Sequence, residues 1–110
     1  MTTLIQYRGD VVAVAGATRF HLAPPIEALQ PQDPLRAVVT LMCVFADRVQ
    51  SGEIAGPYSD ARAELYARSA LIDDDEFTRA DIQGVGDEAL ASHFNVPLEQ
   101  MAAKRLDLRR

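Results

Sequence analysis

Few side chains in this sequence have the chemistry that catalysis or metal binding requires. The chain has two histidines, His21 and His93, and one cysteine, Cys43. Cys43 lies in an apolar stretch with no basic neighbour to lower its pKa, which favours a buried, unreactive thiol. Four consecutive acids, 73–76, lack the glycine-bearing spacing of a calcium loop and suit the start of a helix instead. A catalytic zinc needs three protein ligands, and these residues form no motif that would supply them.

Composition limits the class of protein. The 110 residues carry a formal net charge of −5, and 48% of them are hydrophobic, as in an ordinary globular domain. Negative charge argues against general affinity for nucleic acids, because binding to phosphates needs an excess of Lys and Arg. A single cysteine suits a reducing cytoplasm. The longest apolar run, 41–46, is too short to span a membrane, and the N-terminus does not resemble a signal peptide. We therefore expect a cytoplasmic protein with no membrane partner.

The beginning of the chain has the pattern of a small antiparallel sheet. The segments "TLIQY" and "DVVAVA" are rich in β-branched residues and flank Arg8-Gly9, which predicts a hairpin. In "TRFHL", Phe20 and Leu22 alternate with polar residues, which predicts a third strand. Pro24-Pro25 then ends the sheet.

Helical patterns fill the rest of the chain. The stretch "RAVVTLMCVFADRV" is apolar on nearly every side, Asp33-Pro34 before it is a good helix start, and Gly52 is a good helix end. Glu64 and Arg68 are four residues apart, which predicts an ion pair on the solvent face of the next helix. Strands followed by helices indicate the α+β class.

The predicted architecture is one α+β domain, 1–110. A small antiparallel sheet of about three strands packs on a central buried helix, with three to four further helices and a C-terminal pair that resembles a helix-turn-helix. Asn95 is expected at the turn of that pair, where a left-handed backbone is needed, and Pro97 is expected to open the last helix. The predicted bounds are about 1–23 for the sheet, 33–50 for the central helix, 57–72 for the second helix and 77–106 for the C-terminal helices.

Two segments carry a resemblance to a known family. In "DARAELYARSALIDDDEF", an acid, an alanine, an aromatic residue, a further alanine and a Leu-Ile pair before a polar turn fall on residues 60–73. The segment "ALASHFNVPLEQMAAKRLDL" is similar to the closing segment of the same family, and "RFHLAPPI" is similar to the strand before its active helix. The chain thus resembles the ImmA/IrrE-type metallopeptidases over most of its length.

The resemblance also shows what this chain lacks. Peptidases of that type carry His-Glu-x-x-His on the central helix, where the histidines bind zinc and the glutamate is the general base. The corresponding positions here hold Leu41, Met42 and Phe45, and Asp60 falls on the position of the acidic ligand. Leucine and phenylalanine have no donor atom, and the thioether of methionine suits copper(I) better than zinc. The resemblance therefore implies a protein that is not an enzyme and has no metal or other cofactor.

Two surfaces are candidates for binding. Leu41, Met42 and Phe45 are most simply core, but Met42 and Phe45 could instead line a groove that holds a peptide or partner helix. Tyr58 and Tyr66 pack on helices or contribute to the same interface. In the C-terminal pair, the residues suited to contact DNA are Gln100, Lys104 and Arg105.

These observations predict a catalytically inactive, peptidase-like regulatory protein. Its resemblance implies an association with phages or mobile elements, where the active relatives cut or inactivate repressors. We expect it to act by binding another protein, such as a repressor, a toxin or a host factor. The alternative is a DNA-binding transcriptional regulator that uses its C-terminal helix pair, and a homodimer without a separate ligand is a further alternative.

Overall fold

The computed structural model describes residues 2–16 and 19–109. The described residues form three strands and six helices, in an α+β arrangement as predicted. In this part of the chain, no helix has the length and apolar character needed to cross a membrane. The elements are β1 (Thr2–Tyr7), β2 (Asp10–Gly16), β3 (Arg19–Leu22), α1 (Pro24–Glu27), α2 (Pro34–Ser51), α3 (Asp60–Leu71), α4 (Asp74–Ile82), α5 (Asp87–Phe94) and α6 (Gln100–Leu108).

The predicted hairpin and third strand are confirmed. The sheet is antiparallel in the order β1-β2-β3, with β2 in the centre. Arg8 and Gly9 form the turn between β1 and β2, and both have positive φ angles, 55° and 84°. Such backbone geometry matches the twist of a two-residue hairpin, and it explains why glycine occupies the second position. Ile5 and Ala13 pair across the strands and are buried on the face that meets α2.

Helix α2 is the centre of the molecule. The Asp33 carboxylate accepts a hydrogen bond from the Leu35 backbone N–H at 3.0 Å, and Gly52 ends the helix in the left-handed conformation. The sheet packs against α2 and so does α3, so two sides of the helix lose contact with water. Burial on both sides accounts for its nearly continuous apolar sequence. The N-terminal cluster is the apolar core that β1, β2, α1, α2 and α3 share.

A second apolar core, the C-terminal cluster, lies between α4, α5 and α6. Its buried members are Ile72, Phe77, Leu90, Ala91, Val96 and Met101. As predicted, Asn95 ends α5 with left-handed backbone angles, φ 55° and ψ 54°.

Two predicted boundaries are wrong, each because of a local hydrogen bond or turn. Pro97 does not open the last helix: its carbonyl accepts from the Gln100 N–H at 3.0 Å in a tight turn, and α6 begins at Gln100. Helix α4 starts before the predicted Phe77, because the Asp73 carboxylate caps it by accepting from the Glu76 N–H. The second helix starts at Asp60, where Ser59 caps it, within a few residues of the predicted start at about 57.

A chain of polar contacts joins the two clusters. The Arg68 guanidinium on α3 contacts both Asp107 carboxylate oxygens on α6, at 2.7 and 3.1 Å, and donates to Gln100 Oε1 at 3.0 Å. Gln100 Nε2 donates in turn to the Tyr7 hydroxyl of β1 at 2.8 Å. Arg68 does not pair with Glu64 on the solvent face as predicted, because these buried acceptors on α6 engage its guanidinium.

The largely shielded ion pair between Arg68 and Asp107, with side chains 11% and 16% exposed, predicts a large loss of stability when Arg68 is removed. Arg68→Ala leaves the Asp107 carboxylate and the Gln100 carbonyl without their donor, and should lower the free energy of unfolding by about 3 kcal/mol. Arg48, which pairs with Glu53 at 3.7 Å on the surface, provides the matched control: Arg48→Ala should cost less than about 1 kcal/mol. Urea denaturation measures both values, and equal losses would contradict this assignment.

Candidate functional site

The three residues of α2 at which the resemblance would place a zinc motif are apolar and packed. Met42 is completely buried, Phe45 is 4% exposed, and Leu41 is half-buried. The Phe45 ring lies 5.4 Å from the Tyr66 ring and 6.0 Å from the Tyr58 ring, measured between centroids, with tilted planes. Tilted aromatic pairs at this separation are favourable packing arrangements. This part of the molecule is therefore core, and the prediction that Met42 and Phe45 line an open groove is wrong.

Asp60 lies beside this aromatic group and is used structurally. Its carboxylate accepts a hydrogen bond from the Tyr58 hydroxyl at 2.8 Å and another from the Gln6 backbone N–H at 3.2 Å. The second bond attaches the start of α3 to the edge strand β1. Burial raises the pKa of Tyr58 above its ordinary value, and the hydrogen bond to Asp60 adds to that effect.

The other residues with reactive or ligating groups do not converge. Among the residues that the structure describes, no group of three or more His, Cys, Asp and Glu side chains is placed to hold a metal ion. His93 pairs with Glu76 at 2.6 Å, and His21 is exposed on β3. Cys43 is fully buried, and burial raises the pKa of its thiol to about 12. At neutral pH it is therefore a protonated, unreactive side chain.

Only the rim of the aromatic group reaches solvent. Tyr58 and Tyr66 are both half-buried. The Arg62 guanidinium lies 5.2 Å from the centre of the Phe45 ring, and that of Arg48 lies 5.9 Å from the centre of the Tyr66 ring. These cations cover the aromatic faces by cation–π contact. Tyr58 and Tyr66 thus stay predicted interface residues, above the packed ring of Phe45.

The predicted DNA-contacting face of α6 is turned inward, so that prediction is wrong for this structure. Gln100 and Lys104 are each 2% exposed. Gln100 bonds to Tyr7 and Arg68, and the Lys104 ammonium pairs with Asp74.

Arg105, the third predicted DNA contact, is also engaged. Its guanidinium binds Asp81 at 2.8 Å and Asp87 at 2.5 Å, which lowers the pKa of the Asp87 carboxyl. A side chain held between two carboxylates is a poor phosphate ligand, because a phosphate would have to displace them. Intramolecular partners therefore occupy all three predicted contacts.

A concave surface lies elsewhere, between the hairpin, α1 and the turn before α6. We call it the seam groove, because one wall belongs to the N-terminal cluster and the other adjoins the C-terminal cluster. Its volume is about 760 Å³, within the range of ligand-binding pockets. Its apolar floor consists of Val11, Val12, Ile26, Leu35, Pro97 and Leu98. Sequence reasoning missed this site, since its two walls are more than 60 residues apart in the sequence.

Polar groups line one end of the seam groove. Glu99 accepts a hydrogen bond from the Tyr7 hydroxyl at 2.5 Å and pairs with Arg8 at 3.0 Å. Burial, followed by the bond to Glu99, raises the pKa of Tyr7 above its ordinary value, so its hydroxyl remains protonated and donates. Asp10 is exposed at the same end, and none of the described residues forms a hydrogen bond or ion pair with its carboxylate.

Comparisons with known proteins found no relative of this chain. The chain matches no protein-family model, no curated protein and no solved structure.

The aromatic packing predicts that Phe45 is a major contributor to stability. Phe45→Ala removes a buried ring between two tyrosines, and should lower the free energy of unfolding by about 3–5 kcal/mol. Leu65→Ala, on the exposed side of α3, should change it by no more than about 0.5 kcal/mol. Chemical denaturation of both variants measures the difference, and a small effect of Phe45→Ala would show that this region is not packed as described.

Proposed function

We propose that this chain is a catalytically inactive, peptidase-like regulatory protein that acts by binding another protein. The observation that carries the proposal is the seam groove, an open apolar concavity of about 760 Å³. Two of its side chains, Val11 and Leu98, are large, apolar and substantially exposed, at 44% and 49%. Apolar anchors inserted into such a pocket supply much of the free energy of protein–protein binding.

The absence of turnover is part of this proposal. A zinc peptidase needs three ligands and a general base. At the positions that correspond to the motif, this chain has Leu41, Met42 and Phe45, of which only the methionine has a donor atom, and its side chain is fully buried. Restoring a zinc site would require polar groups in place of packed core, which is energetically costly.

The biological setting follows from the resemblance to ImmA/IrrE-type metallopeptidases. It supports a cytoplasmic regulator associated with a phage or a mobile element. A repressor, a toxin or a host factor is then the partner class. The single cysteine is consistent with a reducing compartment.

The DNA-binding alternative has less support. The net charge is −5, and the side chains suited to read DNA bind Tyr7, Arg68 and carboxylates within the molecule. Exposing them would break the contacts that hold α6 in place. A basic face without intramolecular partners is the usual feature of such a protein, and α6 does not provide one.

The proposal predicts that partner capture depends on the seam groove. Tagged protein is used to capture partners from lysate of its source cell, together with Leu98→Asn and Ile82→Asn. Ile82 is 81% exposed on α4, away from the seam groove, so Ile82→Asn is a matched change from a large apolar to a polar side chain. We expect a specific partner to be retained by wild type and Ile82→Asn and lost with Leu98→Asn.

Circular dichroism and urea denaturation establish that both variants remain folded. Capture of one partner to the same extent by all three proteins would contradict binding at the seam groove. A wild-type protein that retains nothing beyond the untagged background would contradict the protein-binding function.

A further inference from the structure

The charges at the seam groove are not balanced. Arg8 and Glu99 neutralise each other through their 3.0 Å ion pair. The Tyr7 hydroxyl donates to the other Glu99 carboxylate oxygen. Asp10 is then the remaining charge at this end, and its carboxylate has no partner within residues 2–16 and 19–109. The groove therefore combines an apolar floor with one uncompensated negative charge at its rim.

We propose that the seam groove binds a short apolar segment of a partner protein that carries a lysine or arginine next to its apolar side chains. This inference rests on the proposed function and specifies the chemistry of the partner. The apolar side chains occupy the floor, and the basic residue pairs with Asp10.

The floor determines the apolar part of the partner segment. Within this floor, Ile26 and Val12 are buried, whereas Val11 and Leu98 remain substantially exposed in the free chain. An inserted leucine or aromatic side chain removes both exposed residues from water. The gain is about 25 cal/mol for each Å² of apolar surface buried. A polar segment would lose its hydration there without gaining equivalent hydrogen bonds.

The rim determines the charge of the partner segment. An acidic residue would have to compete with Glu99 for Arg8, and Asp10 would repel it. A basic residue pairs with Asp10 without displacing any existing contact. The net charge of −5 on the whole chain favours the encounter with a basic segment as well.

The location of the groove adds a mechanical consequence. Val11 and Val12 are on β2, whereas Pro97 and Leu98 are on the turn that leads into α6. A bound segment contacts both walls and therefore strengthens the attachment of α6 to the sheet. Because the segment binds only when α6 is attached to the sheet, its binding stabilises that attached state by mass action. Amide exchange near the start of α6 should slow when the groove is occupied.

The test uses two short acetylated and amidated peptides with the same leucine residues, flanked by lysine in one and by glutamate in the other. Each is titrated into ¹⁵N-labelled full-length chain and followed by NMR. We expect the lysine peptide to shift the amide signals of Val11 and Leu98, with an affinity roughly fivefold higher than that of the glutamate peptide, as for one exposed ion pair.

Asp10→Asn should remove this preference for the lysine peptide. Leu98→Asn should weaken both peptides, and Ile82→Asn should change neither.

Each contrary outcome has a distinct meaning. If the glutamate peptide binds as well as the lysine peptide, or if Asp10→Asn keeps the preference, the assigned charge is wrong. If neither peptide shifts the amide signals of the groove residues, the proposal that the groove binds an apolar segment is wrong. In all these cases the proposed function still stands if Leu98→Asn abolishes partner capture, and it fails separately if the wild-type protein captures no partner.

Discussion

The hydrogen-bonded chain through buried Gln100 links two apolar cores that would otherwise meet at a weak boundary. Tyr7 of β1, Gln100 and Asp107 of α6, and Arg68 of α3 are its members. Each is largely buried, so the loss of one partner leaves another polar group without a bond in a medium of low dielectric. This requirement fixes which face of α6 points inward. It also holds the turn before α6 close to the hairpin, and the seam groove forms where those two segments meet.

The packing around the central helix explains why the proposed binding site lies away from it. The sheet and α3 both pack against α2. Phe45 packs between two tyrosines. The Asp60 carboxylate accepts hydrogen bonds from Tyr58 and Gln6. A region so tightly packed can support the fold, but it has little space for a ligand. The seam groove, at the boundary between the cores, is therefore the proposed binding site. The proposed function follows from this division between a closed core and an open boundary.

Local features of the fold could be predicted from the sequence, but its long-range contacts could not. Arg8-Gly9, Asp33 and Asn95 act through the backbone of their immediate neighbours, and the structure confirms the hairpin, the helix start and the left-handed turn. Lys104 and Arg68 have polar ends whose partners lie 30 or more residues away, and no periodicity indicates whether such a side chain faces water. The seam groove escaped prediction for the same reason, because distant segments form its walls.

The central proposal is that this chain, whose sequence resembles a zinc peptidase, works without a metal centre, and zinc content tests that proposal most directly. Wild type and Asp60→Asn are purified from zinc-supplemented cultures without chelators, and their metal is measured by inductively coupled plasma mass spectrometry. We predict zinc far below an equimolar amount in both proteins, because Leu41 and Phe45 offer no donor atom and Met42 only a buried thioether. Equimolar zinc in the wild type that is lost with Asp60→Asn would contradict the account.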